Sequence, residues 1–428
     1  MVDDPSVRRM KQEARNSMVT RVRCWQYGWI AAFSLLCGSL PIHAQSRNPL
    51  AAERERMVAD HIAAEGVKNE RVLQSMRTVP RHLFVRSDLR KLAYSDMALD
   101  LGHKQTISPP FIVAYMTEVI DPQPTDVVLE IGTGSGYQAA VLSSLVKEVY
   151  SIEIVEPLGK RAAQTLQSLD YKNVFTKVGD GYLGWPEHAP FDKIIVTCSP
   201  ENIPAPLIEQ LKDGGKMIIP LGERYQQVFH LLEKKDGKLE QTRLLPTLFV
   251  PMTGKSEELR AVLPDPKKPG IVNGSFEEST VVEGQADGWH YQRRGTLRTS
   301  GAADGEKYLS FENNDSGRTA HALQASAIDG SFIGELAFSC RVQSSDIHQG
   351  ATSSDLPGCV IHFFDGKRLP IGTAVIGPWL ADQDWTRVNR TIPVPPTARE
   401  MIVQIGLNGA LGTLGVDGLA IQGVPRAK

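Results

Sequence analysis

The residues best equipped for chemistry lie in one short run, Glu130-Ile131-Gly132-Thr133-Gly134-Ser135-Gly136-Tyr137, directly after the apolar stretch Val127 to Leu129. A glycine-rich turn at the end of a buried strand lets backbone amides approach a ligand where side chains would intrude. The spacing is GxGxG, not the GxGxxG of dinucleotide binders. Amides at the start of a helix opening at Tyr137 can face a ligand carboxylate. About 20 residues further on, Glu153 ends the next strand, where an acidic side chain accepts hydrogen bonds from two ribose hydroxyls. Gly179-Asp180-Gly181 follows the third strand. A carboxylate there suits an adenine amino group, with flanking glycines admitting the ring, although the same residues also make an ordinary Asp-Gly turn. Taken together, Glu130, Gly132, Thr133, Gly134, Gly136, Glu153, Asp180 and Gly181 describe a pocket for S-adenosylmethionine.

Such a pocket needs strands ending on one edge of a sheet. From Asp126 to Leu221 apolar runs of strand length (Val127–Ile131, Glu148–Ile154, Val174–Val178, Ile194–Thr197, Lys216–Pro220) alternate with helical ones (Tyr137–Val146, Pro157–Leu169, Pro204–Lys212). That alternation predicts an α/β fold, a doubly wound Rossmann-like parallel sheet with helices on both faces. Upstream, Leu50, Met57, Val58 and Ile62, then Val67, Val72, Leu73 and Met76, recur at helical spacing. They predict two amphipathic helices broken at Gly66 and capping the sheet. Residues 47–258 therefore read as the cofactor-binding domain. Residues 259–270, with Pro264, Pro266 and Pro269, read as a linker. In residues 271–428 the helical period gives way to short strand-like runs such as Val360–Phe364 and Met401–Leu407, predicting an all-β jelly-roll sandwich.

The chain has 428 residues, too many for one ordinary domain, and 47 Lys plus Arg against 49 Asp plus Glu. That balance offers no basic field for nucleic acid or an anionic membrane. Residues 1–46 differ from the rest: Arg21 and Arg23 precede the apolar stretch Trp25–Leu40, which ends in Pro41-Ile42-His43-Ala44-Gln45. This is the pattern of a secretory signal peptide cut after Ala44, with Met18 as the better start, and it predicts a periplasmic or secreted protein. The alternative is an uncleaved membrane anchor, for which the apolar stretch is just short of the roughly 20 residues that a spanning helix needs; after cleavage no stable membrane span is expected. Among the five cysteines, Cys24 and Cys37 fall in the signal segment and Cys198, Cys340 and Cys359 remain. No CxxC pair or His-rich spacing suggests a metal site. In an oxidising compartment Cys340 and Cys359 either pair or stay as two buried thiols.

Four further segments give the reading a family. Val79-Pro80-Arg81-His82-Leu83-Phe84-Val85, Gln105-Thr106-Ile107-Ser108, Pro190-Phe191-Asp192-Lys193-Ile194-Ile195-Val196-Thr197 and Phe249-Val250-Pro251-Met252-Thr253 flank the glycine turn in an order that resembles protein-L-isoaspartate O-methyltransferases. The resemblance spans roughly residues 50 to 255. It differs in Gly102-His103-Lys104 and in the Pro109-Pro110 pair after Ser108. It implies methyl transfer from S-adenosylmethionine to L-isoaspartyl residues of damaged proteins. It places Ser108 at the active-site serine, Ile107 against the cofactor and Thr253 at the pocket's closure. Read on its own, Ser108 before two prolines and an apolar run is also a helix N-cap.

At the C-terminal end, Asn273-Gly274-Ser275-Phe276-Glu277, Asp384-Trp385-Thr386, Pro395-Pro396-Thr397-Ala398 and Gly415-Val416-Asp417-Gly418-Leu419 resemble carbohydrate-binding modules of the galactose-binding-like jelly-roll type. That resemblance implies a glycan partner, and by analogy alone a calcium ion. Trp289, Trp379 and Trp385 either stack on sugar rings or fill the core, which is the commoner fate of tryptophan in a sandwich. Two alternatives to isoaspartyl repair stay open. One is a methyltransferase of altered specificity, and the other an exported methyltransferase-fold scaffold displaying a glycan-binding domain.

Overall fold

The computed structural model describes residues 49–427, so the signal-peptide reading of residues 1–46 lies outside it. Helices α1 (Pro49–His61) and α2 (Glu70–Thr78) lead into a small antiparallel hairpin, β1 (Leu99–Gly102) with β2 (Gln105–Ile107), and then α3 (Pro110–Val119). Next come β3 (Val127–Ile131), α4 (Tyr137–Ser143), β4 (Glu148–Glu153), α5 (Glu156–Ser168), β5 (Val174–Val178), β6 (Phe191–Val196) and α6 (Ala205–Gln210). The first half ends with β7 (Leu211–Glu223), β8 (Gln226–Lys235), β9 (Lys238–Thr247) and the single turn α7 (Lys255–Glu258). The seven-stranded sheet runs β5-β4-β3-β6-β7-β8-β9, parallel as far as β7 and antiparallel beyond it.

The parallel strands are apolar on both faces because both faces are covered. Val128, Val149, Ile195 and Ile218 pack with the helices of the first half, whereas Leu129, Ile131, Ile152, Ile194, Met217 and Ile219 pack with Leu207 and Leu211 on the other side. The α/β reading is confirmed, with an extension. The strand expected at Lys216–Pro220 is longer, and it pairs with the hairpin β8–β9, which the helix–strand alternation did not announce. Charged residues such as the half-exposed Lys234 and the exposed Glu240 and Arg243 break the alternation and hide that hairpin's period.

Ten strands make up the second half: β10 (His290–Arg293), β11 (Gly295–Arg298), β12 (Tyr308–Asn313), β13 (His321–Ala327), β14 (Ile333–His348), β15 (Gly358–Phe364), β16 (Pro370–Ile376), β17 (Gln383–Pro393), β18 (Glu400–Gly406) and β19 (Leu411–Pro425). They form two five-stranded antiparallel sheets, β10-β13-β18-β15-β16 and β11-β12-β19-β14-β17. A single apolar core lies between them, including Phe276, Trp289, Phe311, Phe338 and Phe363, which matches a β-sandwich. Cys340 on β14 and Cys359 on β15 sit in opposite sheets as free thiols within this core, and burial pushes both up, Cys340 to about 12. Of the two readings of these cysteines, the structure carries the unpaired one.

The segment 259–270 is fastened rather than loose. The Arg260 guanidinium donates to the carbonyls of Ser199 (2.9 Å) and Gly222 (3.2 Å), and the Ala261 amide donates to Glu201 Oε2 at 2.6 Å. At its far end Asp329 N donates to the Pro266 carbonyl at 2.7 Å. Further contacts join the halves, with the His290 ring 2.9 Å from the Tyr225 carbonyl and Tyr225 Oη donating to Glu400 at 3.3 Å. Among the described residues no helix is long and apolar enough to cross a membrane.

Candidate active site

A cleft opens at the carboxyl ends of β3, β4 and β6, where a doubly wound sheet binds its ligands. Its walls include Gln105–Ser108 of the hairpin, the turn after β3, the end of β4, Gly181, and Val250–Thr253 with Thr197 and Cys198. Residues 250–253 reach the cleft because Ser199 N donates to the Val250 carbonyl (2.8 Å) and Met252 N to the Ser199 carbonyl (2.9 Å). Segments that follow β6 and β9 are thereby held on one rim.

The turn is built from below. Gly132 N and Thr133 N both donate to the Ile152 carbonyl, at 2.8 and 3.1 Å. Thr197 Oγ1 donates to the carbonyls of Ile131 (2.9 Å) and Gly132 (2.7 Å). Gly132 sits at φ +99°, and a Cβ there would fall 2.4 Å from Thr197 Oγ1, so the position tolerates only glycine. Glu153 closes the wall: Oε2 accepts from Gly134 N at 2.7 Å and Oε1 from Val155 N at 2.9 Å. Its carboxyl is raised above the usual range by burial, against which those backbone bonds pull.

Ile107, Ser108, Gly132, Thr133, Gly134, Glu153, Gly181 and Thr253 all line this cleft. The other three predicted cofactor residues stand behind it. Glu130 is fully buried beneath the turn, where Ser151 Oγ donates to its Oε2 and Thr133 Oγ1 bonds Ser151 Oγ at 2.6 Å. Its Oε1 has no hydrogen-bond partner, and burial raises its carboxyl to about 8. Gly136 caps α4 in the left-handed region, with α5's Leu166 packed against it. Asp180 accepts from Tyr182 N (2.9 Å) through Oδ1 and from Lys255 N (2.8 Å) through Oδ2, so it ties the 250–255 segment down as a structural turn. Periodicity distinguishes strand from helix but not which face of a loop meets solvent, hence these three differences.

Ser108 does not cap α3. Pro109 occupies the cap position with no side-chain bond, and Pro109 and Pro110 carry no N–H to satisfy. The first available amide, Phe111 N, takes Asp96 Oδ1 at 3.0 Å. The Ser108 hydroxyl is therefore spared for the cleft, while its carbonyl accepts from Arg81 Nη2 at 2.7 Å. Arg81 is wholly buried, also donates to the Ala93 carbonyl (2.8 Å) and lies 4.8 Å over the Tyr137 ring. In the sequence Arg81 stands out only as part of the Val79–Val85 motif. A buried arginine between two loops is legible once the fold is known, not before.

The donor set fits S-adenosylmethionine. Glu153 presents a carboxylate suited to a ribose diol, and Ile131, Ile152, Ile154, Val250 and Met252 offer apolar walls for a flat base. Glycine-only geometry at Gly132 lets the backbone come close.

Comparison with known proteins agrees. Residues 52–257 match the family model described as Protein-L-isoaspartate(D-aspartate) O-methyltransferase (PCMT). A protein-L-isoaspartate O-methyltransferase of Opitutus terrae is 49% identical over 225 residues, covering 52% of this chain and 96% of the relative. One from Nitrosospira multiformis is 47% identical over 235 residues, covering 54% of this chain and 98% of its own length. A solved structure titled protein-L-isoaspartate O-methyltransferase is 26% identical, covers 63% of this chain and 84% of its own, and superposes with a TM-score of 0.45. Since nearly the whole length of such relatives is matched at close to half identity, the chain belongs to the protein-L-isoaspartate O-methyltransferase family.

Proposed function

We propose that this protein methylates the carboxylate of L-isoaspartyl residues in damaged proteins, with Ser108 holding that carboxylate. The observation that carries the role of Ser108 is its release from helix capping, with its backbone pinned by Arg81 at the rim of the cleft. Bound S-adenosylmethionine supplies a methyl group on a sulfonium sulfur. Glu153 would hold its ribose, and Ile107, Gly134 and Thr253 its remaining surface.

A carboxylate with a pKa of about 4 is already ionised at neutral pH, so the chain needs no general base. Held by Glu153 and the glycine turn, the donor would supply its methyl to the carboxylate oxygen at Ser108, the S–CH3 electron pair staying on sulfur as a neutral thioether. What the residues contribute is alignment and exclusion of water by Ile107, Ile131, Val250 and Met252. Alignment of this kind is worth roughly 7 to 11 kcal/mol in well-oriented reactions. The methyl ester closes to a succinimide with loss of methanol, and hydrolysis of that ring returns part of the chain to normal aspartate. Ser108→Ala tests the role: turnover should fall at least tenfold while the dissociation constant of S-adenosylhomocysteine stays within twofold. Equal loss of both would remove Ser108 from substrate positioning.

Export is part of the proposal, supported by Arg21 and Arg23 before the apolar run Trp25–Leu40 and by Ala44 as the cut site. Fractionation with N-terminal sequencing checks it, a mature chain beginning at Gln45 being the expected result and a full-length cytoplasmic protein the contrary one. A glycan role for the sandwich narrows to one tryptophan. Trp289 is fully buried, with Nε1 donating to the Asn273 carbonyl at 3.0 Å, and Trp379 is also in the core. Trp385 is half-buried, edge-on to Tyr308 at 5.1 Å, and supports a stacking face at the sheet edge.

A further inference from the structure

The contact between the halves converges on the active-site segment. Arg293, at the end of β10, is 11% exposed and donates through Nη2 to Asp96 Oδ2 at 2.9 Å. Its guanidinium carbon lies 3.9 Å from the centroid of the Phe111 ring, and Nη1 is 3.8 Å from Glu65 Oε2. Asp96 in turn caps α3 through Phe111 N, three residues after Ser108. Arg318, also in the sandwich, holds Glu65 at 2.7 Å.

We propose that Arg293 of the C-terminal sandwich is a positioning residue for Ser108, acting through Asp96 and the Phe111 ring. The inference rests on the reading of Ser108 given above. Each link is physical. The Asp96 carboxylate, as little exposed as Arg293, accepts from Phe111 N at the positive end of α3 through Oδ1 and from the guanidinium through Oδ2, so the ion pair fixes the cap in place. The planar guanidinium also lies over the Phe111 ring, a contact that a lysine makes less well. Between this clamp and the Arg81 bond to the Ser108 carbonyl, the stretch 108–111 is anchored at both ends, with Pro109-Pro110 as a stiff spacer. The sandwich thus completes the methyltransferase site instead of being a passive appendage.

The test uses the mature chain carrying Arg293→Gln, with Arg293→Lys as the conservative variant that keeps the charge. Amide hydrogen exchange of the segment 107–113 should speed up at least tenfold in R293Q, with segment 137–143 unchanged. The value of kcat/KM for an isoaspartyl peptide should fall about tenfold, and R293K should recover it to within about threefold of wild type. A lower unfolding midpoint with unaltered exchange at 107–113 and unaltered kcat/KM per folded molecule would overturn the proposal, leaving Arg293 a purely structural tie. If the wild-type chain does not methylate the peptide, the proposed substrate falls, and the exchange comparison still decides the positioning role.

Discussion

Replacing Glu130 with glutamine should stabilise the protein increasingly as the pH rises. Glu130 is completely buried, its Oε1 meets no partner, and its carboxyl titrates near 8 against 4.5 in a solvated chain. Between those values the native state keeps a proton that the unfolded chain has released, so the native state binds more protons and stability falls with rising pH. Below about 4.5 both states are protonated and the effect vanishes; above about 8 both are ionised and it levels off. Each unit of difference corresponds to about 1.36 kcal/mol, so the penalty grows from about 1 kcal/mol at pH 5 to about 4 kcal/mol at pH 8. Glutamine carries no such proton and can still accept from Ser151. Urea unfolding of both proteins at pH 5 and pH 8 isolates the effect, because every other titrating group is shared. The stability difference should shift by about 3 kcal/mol in favour of Glu130→Gln. A difference that stays constant across that range would refute the reasoning.

Three other outcomes follow from the same geometry. Gly132→Ala should destabilise the protein by about 2 kcal/mol, from left-handed strain and the collision with Thr197 Oγ1, and should abolish S-adenosylhomocysteine binding by calorimetry; Thr197→Ala in the same chain should recover part of the stability but not the binding. Glu153→Gln should weaken that binding roughly tenfold to hundredfold, since hydrogen bonds to a charged group are worth about 1.5 to 3 kcal/mol, and affinity within twofold of wild type would exclude Glu153 from the site. Cys340 and Cys359 should react with a thiol reagent only after denaturant is added, and a denatured, unreduced sample that shows neither thiol would contradict their free state.

The chemistry of the site was more legible than its support. Buried strands, the GxGxG turn and Glu153 follow from local pattern, since a parallel strand buried on both faces and a backbone-led turn leave compositional traces. Glu130 and Asp180 belong to the same motifs, yet one faces the core under the turn and the other, tied to Tyr182 N and Lys255 N, does not line the cleft. Only the three-dimensional path of residues 250–255 decides that. The β8–β9 hairpin escaped because its outer face is charged and its alternation irregular. Ser108 looked like a cap because the residue before a proline-led helix usually is one; Asp96, twelve positions earlier, had taken that duty. Arg293 could not have been found, because a salt bridge between residues 197 positions apart leaves no periodic signal.

The central claim is isoaspartyl specificity, and one measurement addresses it. The protein from Gln45 onward is incubated with methyl-labelled S-adenosylmethionine and two peptides identical except for an L-isoaspartyl or an L-aspartyl linkage. Base-labile label should appear in the isoaspartyl peptide alone; equal labelling of both peptides, or of neither while the cofactor binds, would contradict the account.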